Sequence, residues 1–170
     1  MATSAPYVLD ANVFIEAHRR YYAFDICGGF WEALLHHHDE KRIISIDRVR
    51  DELATGDALE DWCKETAPDE LFARTAEPNV ARHFGDMMAW VQAQSQFKRE
   101  AVAEFARAAD GWVAAYAKAH KGIVVTHEEY AREARKKVPL PNVCRQFGVD
   151  YADTFAMFRN LGVEFTWETS

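Results

Sequence analysis

Tyr7-Val8-Leu9-Asp10-Ala11-Asn12 is an apolar run that stops at a carboxylate and then opens an amphipathic stretch carrying Val13, Phe14, Ile15 and Ala17. Apolar residues followed at once by helical spacing read as a short buried strand turning directly into a helix, with Asn12 expected as the helix N-cap. The turn puts Asp10 and Asn12 at its apex, at the carboxyl end of the strand. Two further runs, Ile43-Ile44-Ser45-Ile46 and Ile123-Val124-Val125, have the same character. They are continuous rather than alternating, as expected of parallel strands covered on both faces. Helical patterns separate the runs, so the chain is expected to form an α/β sandwich with a mainly parallel central sheet. Functional side chains in such folds gather at the carboxyl ends of strands.

Outward from these strands, Phe30, Trp31, Leu34 and Leu35 predict a helix that begins after Gly28-Gly29 and ends near His38. Asp47 is expected to cap a helix whose Val49 and Leu53 point inward, leaving Glu52 at the rim of the core. Residues 58–72 read as one or two short helices broken by Pro68, and residues 80–119 as helical almost throughout. Asp110 is expected to cap the last of these helices and Gly122 to end it. Asn142 to Phe147 and Tyr151 to Leu161 read as helices, and Val163 to Thr166 as a final strand. No repeat, low-complexity tract or linker appears. The expectation is a single domain over residues 1–170 with a helical insert around 58–105.

With 49% hydrophobic residues, including Phe 11, Trp 5 and Tyr 6, the chain has ample material for a core. It lacks the roughly 20-residue apolar run of a membrane span, and Met1 to Pro6 lacks leader character. A cytoplasmic protein with no membrane association is the expectation. Cys27, Cys63 and Cys144 are widely spaced and odd in number, so buried thiols are expected rather than disulfides or a thiolate metal site. The formal net charge of −7 is unlike that of a general nucleic-acid binder. Basic residues nevertheless cluster at Arg19-Arg20, Lys98-Arg99, Lys118, Lys121, Arg132 and Arg135-Lys136-Lys137.

Four acids stand at element boundaries: Asp10, Glu52, Asp110 and Glu128. Magnesium is a small, hard ion that takes oxygen ligands, commonly one or two carboxylates plus waters and substrate phosphate oxygens. Several acids with few histidines suit it. Such an ion lowers the pKa of a coordinated water and offsets charge on a phosphate under in-line attack. The acids therefore predict a metal-dependent nuclease, with Asn12 positioning a phosphate or a metal-bound water.

The same residues resemble the PIN-domain ribonucleases, in particular the VapC-like toxin branch and its longer PIN-like relatives. The resemblance rests on Val8-Leu9-Asp10-Ala11-Asn12-Val13-Phe14-Ile15, Val49-Arg50-Asp51-Glu52-Leu53, Ala109-Asp110-Gly111-Trp112-Val113-Ala114-Ala115-Tyr116-Ala117 and Val124-Val125-Thr126-His127-Glu128. It implies a PIN-like three-layer sandwich and a site for Mg2+ or Mn2+. Asp10, Glu52 and Asp110 would be the core acids, Glu128 the fourth, and Asn12 the polar residue where many members carry Ser or Thr. The fourth position is Asp in most members, so Glu129 and Asp153 stay open beside Glu128. The resemblance also implies endonucleolytic cleavage of RNA, a cognate antitoxin protein and a homodimer. From another class, a catalytically weak PIN-like module acting through a protein partner is the alternative; the acidic surface and long insert point to it.

His36-His37-His38 cannot converge on one ion from consecutive helical positions and reads as a solvated helix end. His127 reads as a polar residue at a strand end, and Trp31, Trp62, Trp90 and Trp112 as core. Nucleophile-elbow, Walker and dinucleotide-binding motifs are absent from the sequence.

Overall fold

The computed structural model describes residues 4–169. Met1 to Thr3, part of the segment read above as lacking leader character, lie outside the described residues. Five strands form one all-parallel sheet: β1 (Tyr7–Leu9), β2 (Ile43–Ile46), β3 (Phe72–Ala73), β4 (Ile123–Val125) and β5 (Tyr151–Ala152). Their order is β3-β2-β1-β4-β5, and helices flank the sheet, giving an α/β three-layer sandwich. The chain steps outward from β1 through β2 to β3. It then returns to the other side of β1 for β4 and continues outward to β5. The direction of winding thus reverses between β1 and β4, where adjacent connections leave in opposite senses and open a crevice at the carboxyl ends of the strands.

The central strands form where the sequence is apolar without interruption. Val8, Leu9, Val124 and Val125 are wholly buried, and Tyr7, Val8 and Leu9 pair with Ile123, Val124 and Val125. Helix α1 (Ala11–Glu16) leaves β1 with no intervening loop and widens into a π-helical turn at Ala17–Tyr21. Its N-cap is Asp10, whose Oδ1 accepts from the Ala11 amide at 2.7 Å, so Asn12, expected as the cap, falls in the first turn. The shift follows from burial, because Ala11 and Val13 must enter the core directly after the strand.

Helix α2 (Gly28–Asp39) packs on β2. His38, expected in solvent, is buried, and its Nδ1 lies 2.9 Å from the Ile43 carbonyl oxygen. Helix α3 (Asp47–Glu52) follows β2 directly. Asp47 is its first residue rather than its cap; the carboxylate accepts from the Arg48 amide and from both the amide and hydroxyl of Thr75.

Between α4 (Ala58–Glu65) and α5 (Pro78–Ala93), the expected helix gives way at Phe72 to the edge strand β3. Residues 58–105 are therefore helical only in part. Helices α6 (Arg99–Arg107) and α7 (Asp110–His120) complete this half of the chain, and α7 packs across β1, β2 and β4. Asp110 opens α7 as its first residue, with Ala109 in the cap position.

Lys121, not Gly122, adopts the left-handed conformation that closes α7, at φ 54°. Gly122 is required for a different reason. A Cβ there would lie 2.8 Å from Val8 Cγ2 and 2.9 Å from the Pro6 carbonyl oxygen.

After α8 (Leu140–Gln146), Tyr151 and Ala152 form β5 rather than a helix, held by Val124 N–H to Asp150 O and Thr126 N–H to Ala152 O. Helix α9 (Thr154–Leu161) follows. The expected strand at Val163 to Thr166 does not form, since β5 already occupies that edge of the sheet. Phe165 instead packs on Tyr22 and Phe158, with ring centroids 5.7 and 5.6 Å away.

Trp31 and Trp62 are core, whereas Trp90 and Trp112 are only partly buried. Cys63 and Cys144 are buried free thiols, and Cys27 is free and partly exposed. Among the described residues no helix is long and apolar enough to cross a membrane.

Candidate metal centre

The crevice at the β1/β4 reversal holds a cavity of about 450 Å³ whose wall includes Asn12, Glu52, Glu104, Asp110, Glu128, Lys136 and Lys137. Three short connections bring these residues together. The β1–α1 turn supplies Asn12 and carries the buried Asp10, which is not itself in the lining, the end of α3 supplies Glu52, and the start of α7 supplies Asp110. Glu128 comes from the loop after β4, which winds back past Lys136 and Lys137 before α8.

Asp10 is 1% exposed, and its bonded partners are neutral. Oδ1 accepts from the Ala11 amide at 2.7 Å and Oδ2 from the Thr126 hydroxyl at 3.0 Å. Burial, reinforced by the negative charges of Asp110 and Glu128, pushes its pKa well above the ordinary carboxylate range; the two hydrogen bonds only partly oppose this. Asp110 is pushed up to about 7, chiefly by burial and then by Glu128, with Lys137 opposing. Glu52 and Glu104 add smaller repulsions at Asp110.

The remaining acids are partly engaged within the protein. Glu52 accepts from the Ala109 amide at 2.7 Å, which ties the end of α3 to the residue preceding α7. Glu128 accepts from the Leu140 amide at 2.7 Å and pairs with Lys137. The Thr126 hydroxyl, besides donating to Asp10, accepts from the Glu128 amide at 3.2 Å.

Glu129 is exposed, and Asp153 caps α9 by accepting from Ala156 N–H at 2.7 Å. Of the three candidates for a fourth acid, Glu128 is thus the one that faces the cavity. His127 turns away toward α9, its Nε2 lying 2.7 Å from the Thr154 hydroxyl, and burial lowers its pKa. Glu104 had no motif to announce it; its signal is its position beside Ala101 and Phe105, the buried stripe of α6. Lys136 and Lys137 stood in the sequence only as part of a basic run.

Carboxylate and amide oxygens make up the donor set, without thiolate or imidazole, and this chemistry matches a hard divalent ion such as Mg2+ or Mn2+. Among the described residues, the buried Asp10 and the half-buried Asp110 lack a directly bonded protein cation, a state that a divalent ion would relieve. As the side chains stand, no three acidic, histidine or cysteine groups among the described residues form a ready-made ligand set. Glu52 and Glu128 would have to turn from their present partners to join Asp10 and Asp110.

Fold and site together define a class: a parallel α/β protein with an acid-lined pocket at the reversal of strand order. The chain belongs to the family described as Domain of unknown function (DUF4411), which it matches over residues 7–165. No curated protein matches it.

Proposed function

We propose that the chain is a divalent-metal-dependent endoribonuclease of the PIN-domain type, a cytoplasmic hydrolase acting as the toxin of a toxin–antitoxin pair. The observation that carries this reading is the buried Asp10 carboxylate, at the carboxyl end of β1, facing the negative charges of Asp110 and Glu128 with only neutral donors bonded to it. A fold keeps such an arrangement at a cost unless a cation or a reaction uses it.

Asp10, Asp110 and Glu52 would hold the Mg2+ or Mn2+, with Glu128 as a supplementary ligand. When bound, the ion supplies an acidified water and a positive charge against the phosphate oxygens. Asn12 donates its amide N–H to a phosphate oxygen at the mouth of the cavity. Glu128, steadied by the Leu140 amide, orients a water and accepts its proton when it is not a ligand. Lys136 and Lys137 attract the polyanion to a pocket that would otherwise repel it.

The test is cleavage of a mixed RNA pool with magnesium or manganese, comparing wild type, Asp10→Asn and an EDTA control. Cleavage confined to metal-loaded wild type is the expected result. An unchanged rate in the folded Asp10→Asn protein refutes the role of Asp10.

A second reading, a catalytically weak PIN-like module that acts through a protein partner, is favoured by the internal engagement of Glu52 and Glu128. Under it, a basic antitoxin segment would replace Lys137 at Glu128. RNA cleavage would then be absent while antitoxin binding survives EDTA. Sedimentation of the purified chain tests the homodimer that the PIN resemblance implies.

A further inference from the structure

Beside the acidic pocket, the loop between β4 and α8 forms a second wall. Residues 130–145 carry Arg132, Arg135, Lys136, Lys137 and Arg145 against a single acid, Glu133, in a chain of net charge −7. The loop has little regular structure, yet its backbone is pinned. The Gln96 amide donates to the Arg132 and Ala134 carbonyl oxygens at 3.1 and 2.9 Å, and Lys98 N–H donates to Arg135 O at 2.8 Å. The Asn142 side chain clamps Ala131, accepting from its amide at 3.0 Å and donating to its carbonyl oxygen at 2.8 Å. Because the neighbouring loop and α8 satisfy the backbone, the basic side chains are presented outward at little further entropic cost.

Among the described residues, Arg132, Arg135, Lys136 and Arg145 have no acidic partner within ion-pair reach. The same loop borders a second cleft of about 260 Å³, bounded by Trp90, Phe97, Tyr130, Arg132 and Arg145. The Arg145 guanidinium sits 3.9 Å from the centre of the Tyr130 ring, and Tyr130 remains 41% exposed. Two exposed planar groups over an aromatic floor, with unpaired positive charge at the rim, match a nucleobase and its phosphate.

We propose that this cleft seats an unstacked nucleotide of a single-stranded nucleic acid whose neighbouring phosphodiester lies in the acidic pocket. Glu128, Lys136 and Lys137 on the pocket side and Tyr130 and Arg132 on the cleft side belong to one continuous loop, so a single strand crossing it meets both cavities. The identity of that strand as RNA rests on the function proposed above. A duplex does not fit, because its bases are stacked on one another and the cleft has room for a nucleotide, not a helix.

Fluorescence anisotropy in EDTA tests this on the full chain carrying Asp10→Asn, so that neither metal nor cleavage enters the readout. The probe is a short labelled single-stranded RNA, with single-stranded DNA, duplex RNA and an oligoglutamate peptide as further arms. Tyr130→Ala and Arg145→Ala are each expected to weaken RNA binding by about tenfold, the loss of one stacked contact. Tyr130→Phe, which keeps the ring, should bind as the parent does, and so should Lys64→Ala on helix α4. Single-stranded DNA binding in parallel with RNA supports the stacking site and moves the sugar discrimination elsewhere.

The inference is overturned if no single strand binds, if both alanine variants bind as the parent does, or if duplex or oligoglutamate binds as well as the single strand. Loss of the nuclease reading, seen as cleavage unaffected by Asp10→Asn, leaves these binding results standing, so the two failures are distinguishable. Circular dichroism of each variant secures its fold. Should Arg145→Ala prove unfolded, Arg145→Glu at the same exposed position serves, with a larger expected loss.

Discussion

Replacing Asp110 by Asn should stabilise the metal-free protein, and the gain should widen as pH rises. The fold raises the Asp110 pKa from 3.8 to about 7, so ionisation is penalised in the folded state and not in the unfolded one. The sign follows from proton linkage. Below about pH 4 the group is neutral in both states and contributes nothing; between there and about pH 7 the unfolded chain ionises while the folded one does not, and stability drains away; above that the cost is constant. A shift of about 3 units at about 1.4 kcal/mol each gives a full cost of about 4 kcal/mol near pH 8, against about 2 kcal/mol near pH 5.

Asn removes that cost at every pH. Near pH 8, where the folded group is ionised, it also forfeits about 0.5 kcal/mol of favourable charge at the first turn of α7. The variant should therefore exceed wild type by about 2 kcal/mol near pH 5 and by about 3–4 kcal/mol near pH 8. Urea unfolding in EDTA, followed by the fluorescence of buried Trp31 and Trp62, reads this directly. Magnesium should close most of the gap near pH 8: at about a hundred times its dissociation constant it adds about 2.7 kcal/mol to wild type and little to the variant. A variant less stable than wild type without metal, or a difference that does not grow with pH, would show that Asp110 is not a strained carboxylate.

Gly122→Ala should cost about 1–3 kcal/mol by forcing apart Val8 and the Pro6 carbonyl at the start of the β1/β4 pairing, measured by denaturant midpoint; an unchanged midpoint would mean that the strands yield freely. Lys121→Gly should raise stability by about 0.5–1 kcal/mol, since Lys121 holds φ 54°, a conformation that glycine adopts without steric cost, and no gain in thermal midpoint would contradict this. Asp153→Ala removes the side-chain cap of α9 and should cost about 1 kcal/mol while leaving RNA cleavage unchanged, which separates this acid from Glu128; a loss of cleavage at normal stability would count against that separation.

Much of the candidate site was legible because its acids follow features that a sequence advertises. Asp10 ends an apolar run, Asp110 opens a helical one, and Glu128 stands three residues beyond the last strand residue, Val125. Lys137 carried no such mark. Its partnership with Glu128 is set by a loop whose path depends on Gln96, Lys98 and Asn142. Glu129 and Asp153 could not be separated from Glu128 by spacing, because the choice depends on which way each side chain leaves its element. Asp153 is consumed by the amide of Ala156, and Glu129 points to solvent.

Sequence alone determined the α/β class, the three apolar strands and the acids at their boundaries. These follow from burial, and burial leaves its period in the chain. Tertiary structure decided the two-residue strands β3 and β5, the strand order and the crevice between β1 and β4. Tyr151 and Ala152 become a strand only because Val124 and Thr126 offer backbone partners, and the hydrogen bonds of an edge belong to the neighbour as much as to the residues themselves. Hydrophobic pattern records that a residue is covered; it does not record by what, and the reversal that gathers the four acids is a property of the covering.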